Sequence, residues 1–230
     1  MVSVDLPFAN EHFVAVDKPA DWLSVPSRLG EREQRPCLGT TLEAELGVRL
    51  WPVHRLDAEV TGLILFAKNA AAHRQASGWF EQRTVDKSYE AWTEGAPPAA
   101  TGEALWRSCL LRGKKRAYES PHGKPAETLA RCLGQVPGAD GQAALRWELK
   151  PLTGRAHQLR FELARHGHPI LGDALYGATR PFRHGAGHGI ALRCVRLDFA
   201  RCQGAAALGL PAELTVPPLA TRFPEETPPA

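Results

Sequence analysis

The sequence predicts a mixed α+β fold, a mainly antiparallel sheet with flanking helices and a ligand cleft across the sheet, and three observations lead there. Several segments alternate apolar and polar residues with the two-residue period of strands, most clearly Lys87 to Thr93, Arg146 to Leu152 and Ile190 to Phe199. Helical patterns are few. The segments between strands are mostly short turns rather than the helical crossovers that parallel βαβ units need.

Taken along the chain, the first expected strand is Phe13 to Val16, ended by Lys18-Pro19, because proline lacks a ladder donor and restricts the residue before it. Gly30 to Pro36 is charged and turn-prone and reads as a surface loop. Thr40 to Leu46 reads as a short helix stopped by Gly47. Thr61 to Ala67 contains the apolar run Leu63-Ile64-Leu65-Phe66 and reads as a buried strand. Asn69 is the expected N-cap of a helix reaching about Gln82, with Ala72, Ala76 and Phe80 on one stripe. In the strand from Lys87 to Thr93, Tyr89 and Ala91 share one face while Ser88, Glu90 and Trp92 share the other. Thr153 is the expected N-cap of a helix with its body from about Arg155 to His166 and Gly167 just beyond its end. On that helix Leu159 and Leu163 face the core, and His157 and Arg160 share another face.

Composition sets bounds on function. With 43% hydrophobic and 23% charged residues over 230 positions, the chain has ordinary globular proportions and enough length for a sizeable core. No segment approaches ~18 consecutive apolar residues and the N-terminus lacks the sections of a signal peptide, so the expectation is a cytoplasmic protein with no membrane partner. The five cysteines are widely spread with no C-x-x-C pair, which suggests neither a disulfide framework nor zinc. Among nine histidines, His166-x-His168 and His184-x-x-x-His188 lack further ligands, so no metal is expected. A net charge of +3 is too small to define a nucleic-acid binder, but Arg107, Arg112, Lys114, Lys115, Arg116 and Lys124 crowd one short stretch. That stretch is either a solvated basic loop or a path for phosphates.

His54-Arg55-Leu56-Asp57 stands out because it sets a carboxylate beside a guanidinium just before the apolar run. Alone, Asp57 reads more readily as a helix cap or a surface ion pair than as a nucleophile. Further along come Lys87-Ser88-Tyr89-Glu90-Ala91, then Thr153-Gly154-Arg155-Ala156-His157-Gln158-Leu159-Arg160, then Gly167-His168-Pro169-Ile170-Leu171-Gly172-Asp173 and Tyr176-Gly177. In order and rough spacing this set resembles the motifs of the RluA-type pseudouridine synthases. The likeness extends to Asn10 to Pro26 at the start and Leu214 to Phe223 near the end. It implies one catalytic domain over 1–223 without the family's frequent N-terminal RNA-binding domain, a disordered tail at 224–230, and a monomer needing no cofactor.

The resemblance also implies chemistry: isomerisation of uridines in structured RNA, transfer or ribosomal. Asp57 matches the nucleophile, Tyr89 the active-site tyrosine and Arg160 the basic partner of the aspartate. Whether the carboxylate attacks the sugar C1′ or the base C6, or assists elimination, stays open. Desolvation opposes the charge that a nucleophilic carboxylate needs, so a cation must accompany it. The target base must leave its stack to react, and Arg55 is expected to fill the space it vacates or to hold a flanking phosphate. His54, Arg155, His157, Lys114, Lys115 and Arg116 are the other expected substrate contacts. Asp173 is expected to bond to backbone donors of its loop. The chain departs from the family pattern at Ala58 to Thr61, Ala156, Phe161-Glu162 and Arg193-Cys194, which leaves the RNA target open. The alternatives are an RNA-binding module of the same fold without turnover, and a hydrolase, for which no G-x-S-x-G setting exists.

Overall fold

A computed structural model describes residues 4–27, 30–99, 102–138, 141–184 and 187–219, with backbone alone at 31, 187 and 188. Its spine is one sheet in which strands follow the order β1 (Phe8–Ala9), β2 (Phe13–Lys18), β4 (Thr61–Ala67), β12 (Leu192–Asp198), β5 (Asp86–Thr93), β9 (Ala143–Pro151), β8 (Lys124–Pro137), β6 (Glu103–Arg112) and β7 (Ala117–Glu119). Two short strands join its sides, β3 (Trp51–Pro52) on β4 and β13 (Glu213–Thr215) on β12. A separate small hairpin is formed by β10 (Arg183–His184) and β11 (Gly187–His188). Apart from the parallel pair β4 and β12, these pairings are antiparallel. The mixed, mainly antiparallel α+β architecture is the one the alternating segments predict.

All seven residues of β4 are buried because both faces of the sheet are covered there. On one face α1 (Leu38–Leu46) lays Leu38 and Leu42 against Val14, Val16, Ile64 and Phe66. On the other, α2 (Ala70–Glu81) packs Ala72, Ala76 and Trp79 into a core shared with Phe13, Leu63 and Leu65. Each fully buried side chain of this size is worth about 1.5–3 kcal/mol of transfer free energy. Asn69 caps α2 by accepting the Ala72 N–H at 2.9 Å, and Gly47 ends α1 in the left-handed region at φ 64°. Phe80 packs half-buried against the same core and also stacks on His54, with ring centroids 4.5 Å apart.

Two expectations need correction. The helix that follows β9 is shorter than its pattern suggests: α3 runs Gln158–Arg165, with His157 rather than Thr153 at the N-cap. Thr153 is buried and its hydroxyl serves other partners, accepting the Glu127 N–H at 2.9 Å and donating to Gln158 Oε1 at 2.8 Å. The basic stretch is not a loop but largely strand: Arg107 and Arg112 lie on β6 and Lys124 on β8, leaving only Lys114, Lys115 and Arg116 in the turn before β7. Gly167, at φ 82°, stands just past α3 as expected, and the His168 N–H reaches back to the Leu163 carbonyl at 2.9 Å. The expected tail at 224–230 and the closing segment beyond 219 lie outside the described residues.

Candidate active site

The carboxyl-bearing turn between β3 and β4 is pinned on both sides of Asp57. Ser24 Oγ accepts the Leu56 N–H at 3.0 Å and donates to the Leu56 carbonyl at 2.7 Å. Lys18, fully buried, donates from Nζ to the carbonyls of Ala58, Pro19 and Trp22 at 2.8–2.9 Å. Sequence reasoning took Lys18-Pro19 only as a strand end, yet its ammonium fixes the backbone next to the key carboxylate. A third constraint comes from Gly62, at φ 103°, where a Cβ would stand 2.1 Å from the Cys194 carbonyl oxygen. Only glycine lets β4 and β12 approach this closely at the head of the cleft.

The turn and α3 face each other across a cleft of about 740 Å³. Asp57 Oδ2 lies 3.5 Å from Arg160 Nη1 and 3.9 Å from His157 Nε2. Both groups thus reach one carboxylate, although His157, at the N-cap, stands outside the helix whose face the sequence has them share. His157 adopts the left-handed region at φ 51° and its buried Nδ1 has no hydrogen-bond partner among the described residues. Gln158 holds the turn in front of the helix through four bonds, accepting from Thr153 and the Arg155 N–H and donating to the Glu127 carbonyl and Thr128 Oγ1.

Arg160 is clamped from behind. Its Nε and Nη2 fork Asp173 at 2.7 and 2.8 Å, and Nη1 donates to Glu59 Oε2 at 3.2 Å. The Asp173 carboxylate therefore binds a guanidinium, correcting the expectation that it caps backbone donors of its loop. With two edges of the planar fork consumed, the remaining nitrogen is aimed at the turn bearing Asp57 and Glu59. The Tyr176 ring, 5.4 Å from the guanidinium carbon, closes a third side. Glu59 and Asp173 were not assigned to this cluster from sequence. A carboxylate thirteen positions beyond an arginine, past a helix end and a loop, leaves no periodic signal.

Tyr89 lines the same cleft from β5. Burial pushes its phenol well above the usual range, with Cys194 beside it and Asp57 adding to the rise, so the ring is presented as a neutral phenol. His54 also lines the cleft, but its Nε2 accepts the Leu65 N–H at 3.0 Å and burial holds the ring down to about 3. It is a neutral imidazole tied to β4. Arg55 is exposed at the rim, and Arg155 sends Nε to the Pro125 carbonyl at 2.9 Å. Lys114, Lys115 and Arg116 are exposed in the β6–β7 turn and do not line the cleft, whereas Arg112 at the base of that hairpin does. Arg83, Lys87 and Arg201 also line it, so that among the described residues seven Lys and Arg meet three acids, Asp57, Glu81 and Asp86. Such a wall suits a polyanion.

Among the described residues no three His, Cys, Asp or Glu side chains gather as a metal site, and no helix is long and apolar enough to cross a membrane. Residues 12–165 match the family model described as RNA pseudouridylate synthase. The dual-specificity RNA pseudouridine synthase RluA of Pasteurella multocida is 36% identical over 177 residues, 75% of this chain and 77% of that protein. The Escherichia coli protein of the same name is 37% identical over 74% of this chain and 76% of its own. The tRNA pseudouridine synthase C of Yersinia pestis is 34% identical over 80% and 75%. In fold the chain is similar to human RNA pseudouridylate synthase domain containing 1, with a TM-score of 0.72, 24% identity and coverage of 94% of this chain and 83% of that one. A second human structure, RNA pseudouridylate synthase domain containing 4, gives 0.64 at 22% identity over 92% and 87%.

Proposed function

The chain belongs to the RNA pseudouridylate synthase family, an RNA uridine-to-pseudouridine isomerase, and from that premise we propose that Asp57 is its nucleophile, Arg160 the cation that orients it and Tyr89 the platform for the target base. One observation carries the assignment: three residues from three motifs, at positions 57, 89 and 160, line a single cleft, with Asp57 within 3.5 Å of Arg160.

The reaction breaks N1–C1′, turns the uracil without releasing it, forms C5–C1′, and gives up the C5 proton while N1 takes one up. Asp57 starts the sequence, and Arg160, itself buried, supplies the opposing charge 3.5 Å away. Because Asp173 fixes the guanidinium, that charge is in place before substrate arrives and costs no reorganisation. Tyr89 stacks on the extruded ring and stays neutral until late, since burial disfavours its phenolate. Arg55 at the rim fills the space of the flipped base or holds a neighbouring phosphate, while Arg155 and His157 position the strand near Asp57. Lys114, Lys115 and Arg116 track phosphates farther out along the hairpin. His54 contributes by shaping the cleft wall. The same reading has the protein act on structured RNA in the cytoplasm, as a monomer and without a cofactor.

The test is incubation with tRNA and ribosomal RNA transcripts carrying C5-tritiated uridine. Tritium released from RNA of unchanged length is the expected result. Cleaved strands, or binding with no release, would defeat the proposal. Sedimentation of the protein with and without RNA checks the monomer.

A further inference from the structure

Lys87 is a cation that the cluster around Asp57 does not use and that has no hydrogen-bond or ion-pair acceptor among the described residues. It lies two residues before Tyr89 on β5, so both side chains leave the same face of the strand, and both line the cleft. Its ammonium sits over the turn leading into α3: a Cβ added at Gly154 would have Lys87 Nζ as its neighbour at 3.9 Å. The side chain is half-buried, and among the described residues Nζ makes no hydrogen bond or ion pair.

Its surroundings compensate the charge only in part. Asp86, beside it in sequence, is forked by Arg201, with Nε at 3.1 Å. Arg83, a cation lining the same wall, holds the left-handed region at φ 59° and repels it. Burial lowers the ammonium's tendency to hold its proton; Cys194 and Asp86 work against that fall, and Arg83 adds to it. A half-buried positive charge beside a second one is unfavourable in the free protein unless a ligand completes it. The neighbouring acid already belongs to another arginine, so the missing partner comes from outside the chain.

We infer that Lys87 binds a backbone phosphate adjoining the uridine whose base stacks on Tyr89, forming with Gly154 a phosphate seat one strand step from the base platform. This rests on the RNA reading given above and deepens it. The seat fixes where the sugar of the flipped nucleotide lies relative to Asp57, so Lys87 is a substrate-binding residue whose charge is matched only in the complex.

That origin gives the proposal an unusual signature. Lys87→Met keeps the apolar stem and removes the charge, so the free protein should melt no lower than wild type. RNA affinity should fall about tenfold or more, as for loss of a charge-assisted bond. The dependence of log Kd on log salt should lose about 0.7–0.9 of a unit, one phosphate's worth. Lys87→Arg should restore the slope. Kd is read by filter binding of the C5-tritiated tRNA and ribosomal RNA transcripts over a salt series, alongside the single-turnover rate at saturating enzyme. An unchanged slope with a lowered Tm would make Lys87 a structural residue and overturn the inference. An unchanged slope with a reduced saturating rate would place Lys87 on the base itself and overturn it too. Absence of tritium release by the wild-type protein would sink the enzyme assignment alone, since the slope is read from binding.

Discussion

Removing Asp173 from behind Arg160 is expected to injure the protein in two separable ways. The two side chains are 1% and 3% exposed and share two parallel bonds. In Asp173→Leu the guanidinium keeps only Glu59 at 3.2 Å and Asp57 at 3.5 Å, both on the solvent side of it. Breaking one partner of a buried pair costs about 3–5 kcal/mol. Glu59 and Asp57 soften the loss, so the lower end applies, about 3 kcal/mol, or a Tm fall of about 6–12 °C for a chain of this size. Arg160→Met strands Asp173 in the same way and should cost a similar amount. The double variant Arg160→Met/Asp173→Leu removes both charges and should recover most of the stability, giving a coupling of at least ~2 kcal/mol. Turnover should not recover, because Arg160 Nη1 is gone from Asp57. The measurements are urea unfolding by tryptophan fluorescence and single-turnover tritium release. If the double variant is destabilised by the full sum of the singles, the pair is not the energetic unit described; if it retains turnover, Arg160 has no part in the reaction.

Asp57→Asn should fold and bind RNA as wild type does while releasing no tritium, and clear residual turnover in a clean preparation would remove Asp57 from its role. His54 is held neutral down to about pH 3 in the folded chain by burial but takes up a proton near 6.5 when unfolded, so its contribution is complete above pH 6.5 and drains away as the pH falls toward 3. Between pH 7 and 4 the unfolding free energy of wild type should therefore fall more steeply than that of His54→Gln, and parallel curves would contradict the burial argument. Changing Arg112, Lys114, Lys115 and Arg116 together to Ala should weaken every RNA tested and flatten the salt slope while leaving the saturating rate alone; an unaltered slope would return the hairpin tip to plain solvated surface. Gly62→Ala should lose soluble protein, since its Cβ would overlap the Cys194 carbonyl, and a well-folded variant would show that β4 and β12 have slack at their junction.

How much of this was legible in the sequence depended on whether the signal was local. The helix after Asn69, the buried strand of β4, and the placement of Tyr89 on a strand and Arg160 on a helix face all follow from short-range pattern. The edge of the sheet was hidden for a physical reason. β6 and β8 are polar on an exposed side and carry Arg107, Arg112, Lys124 and Arg131, and β8 shifts register between Cys132 and Gly134, which breaks its alternation. The helix start was misplaced because Thr153, a good cap by type, spends its hydroxyl on Glu127 and Gln158 instead. Asp173, Glu59 and Lys18 were missed because each acts on a residue distant in sequence or on backbone, and such partnerships exist only once the chain has folded.

The position of β12 carries a consequence for how the protein comes into being. This late strand is threaded between β4, its parallel neighbour at Thr61 and Gly62, and β5, its antiparallel neighbour at Tyr89. Until residues 192–198 leave the ribosome, the turn bearing Asp57 and the strand bearing Tyr89 have no common frame, and β4 lacks a neighbour beside Thr61 and Gly62. A nascent chain therefore cannot modify RNA, and its most aggregation-prone interval is the wait for that strand. Pairing across so much intervening chain closes slowly, so the assembly of the site waits on the last long strand of the sheet.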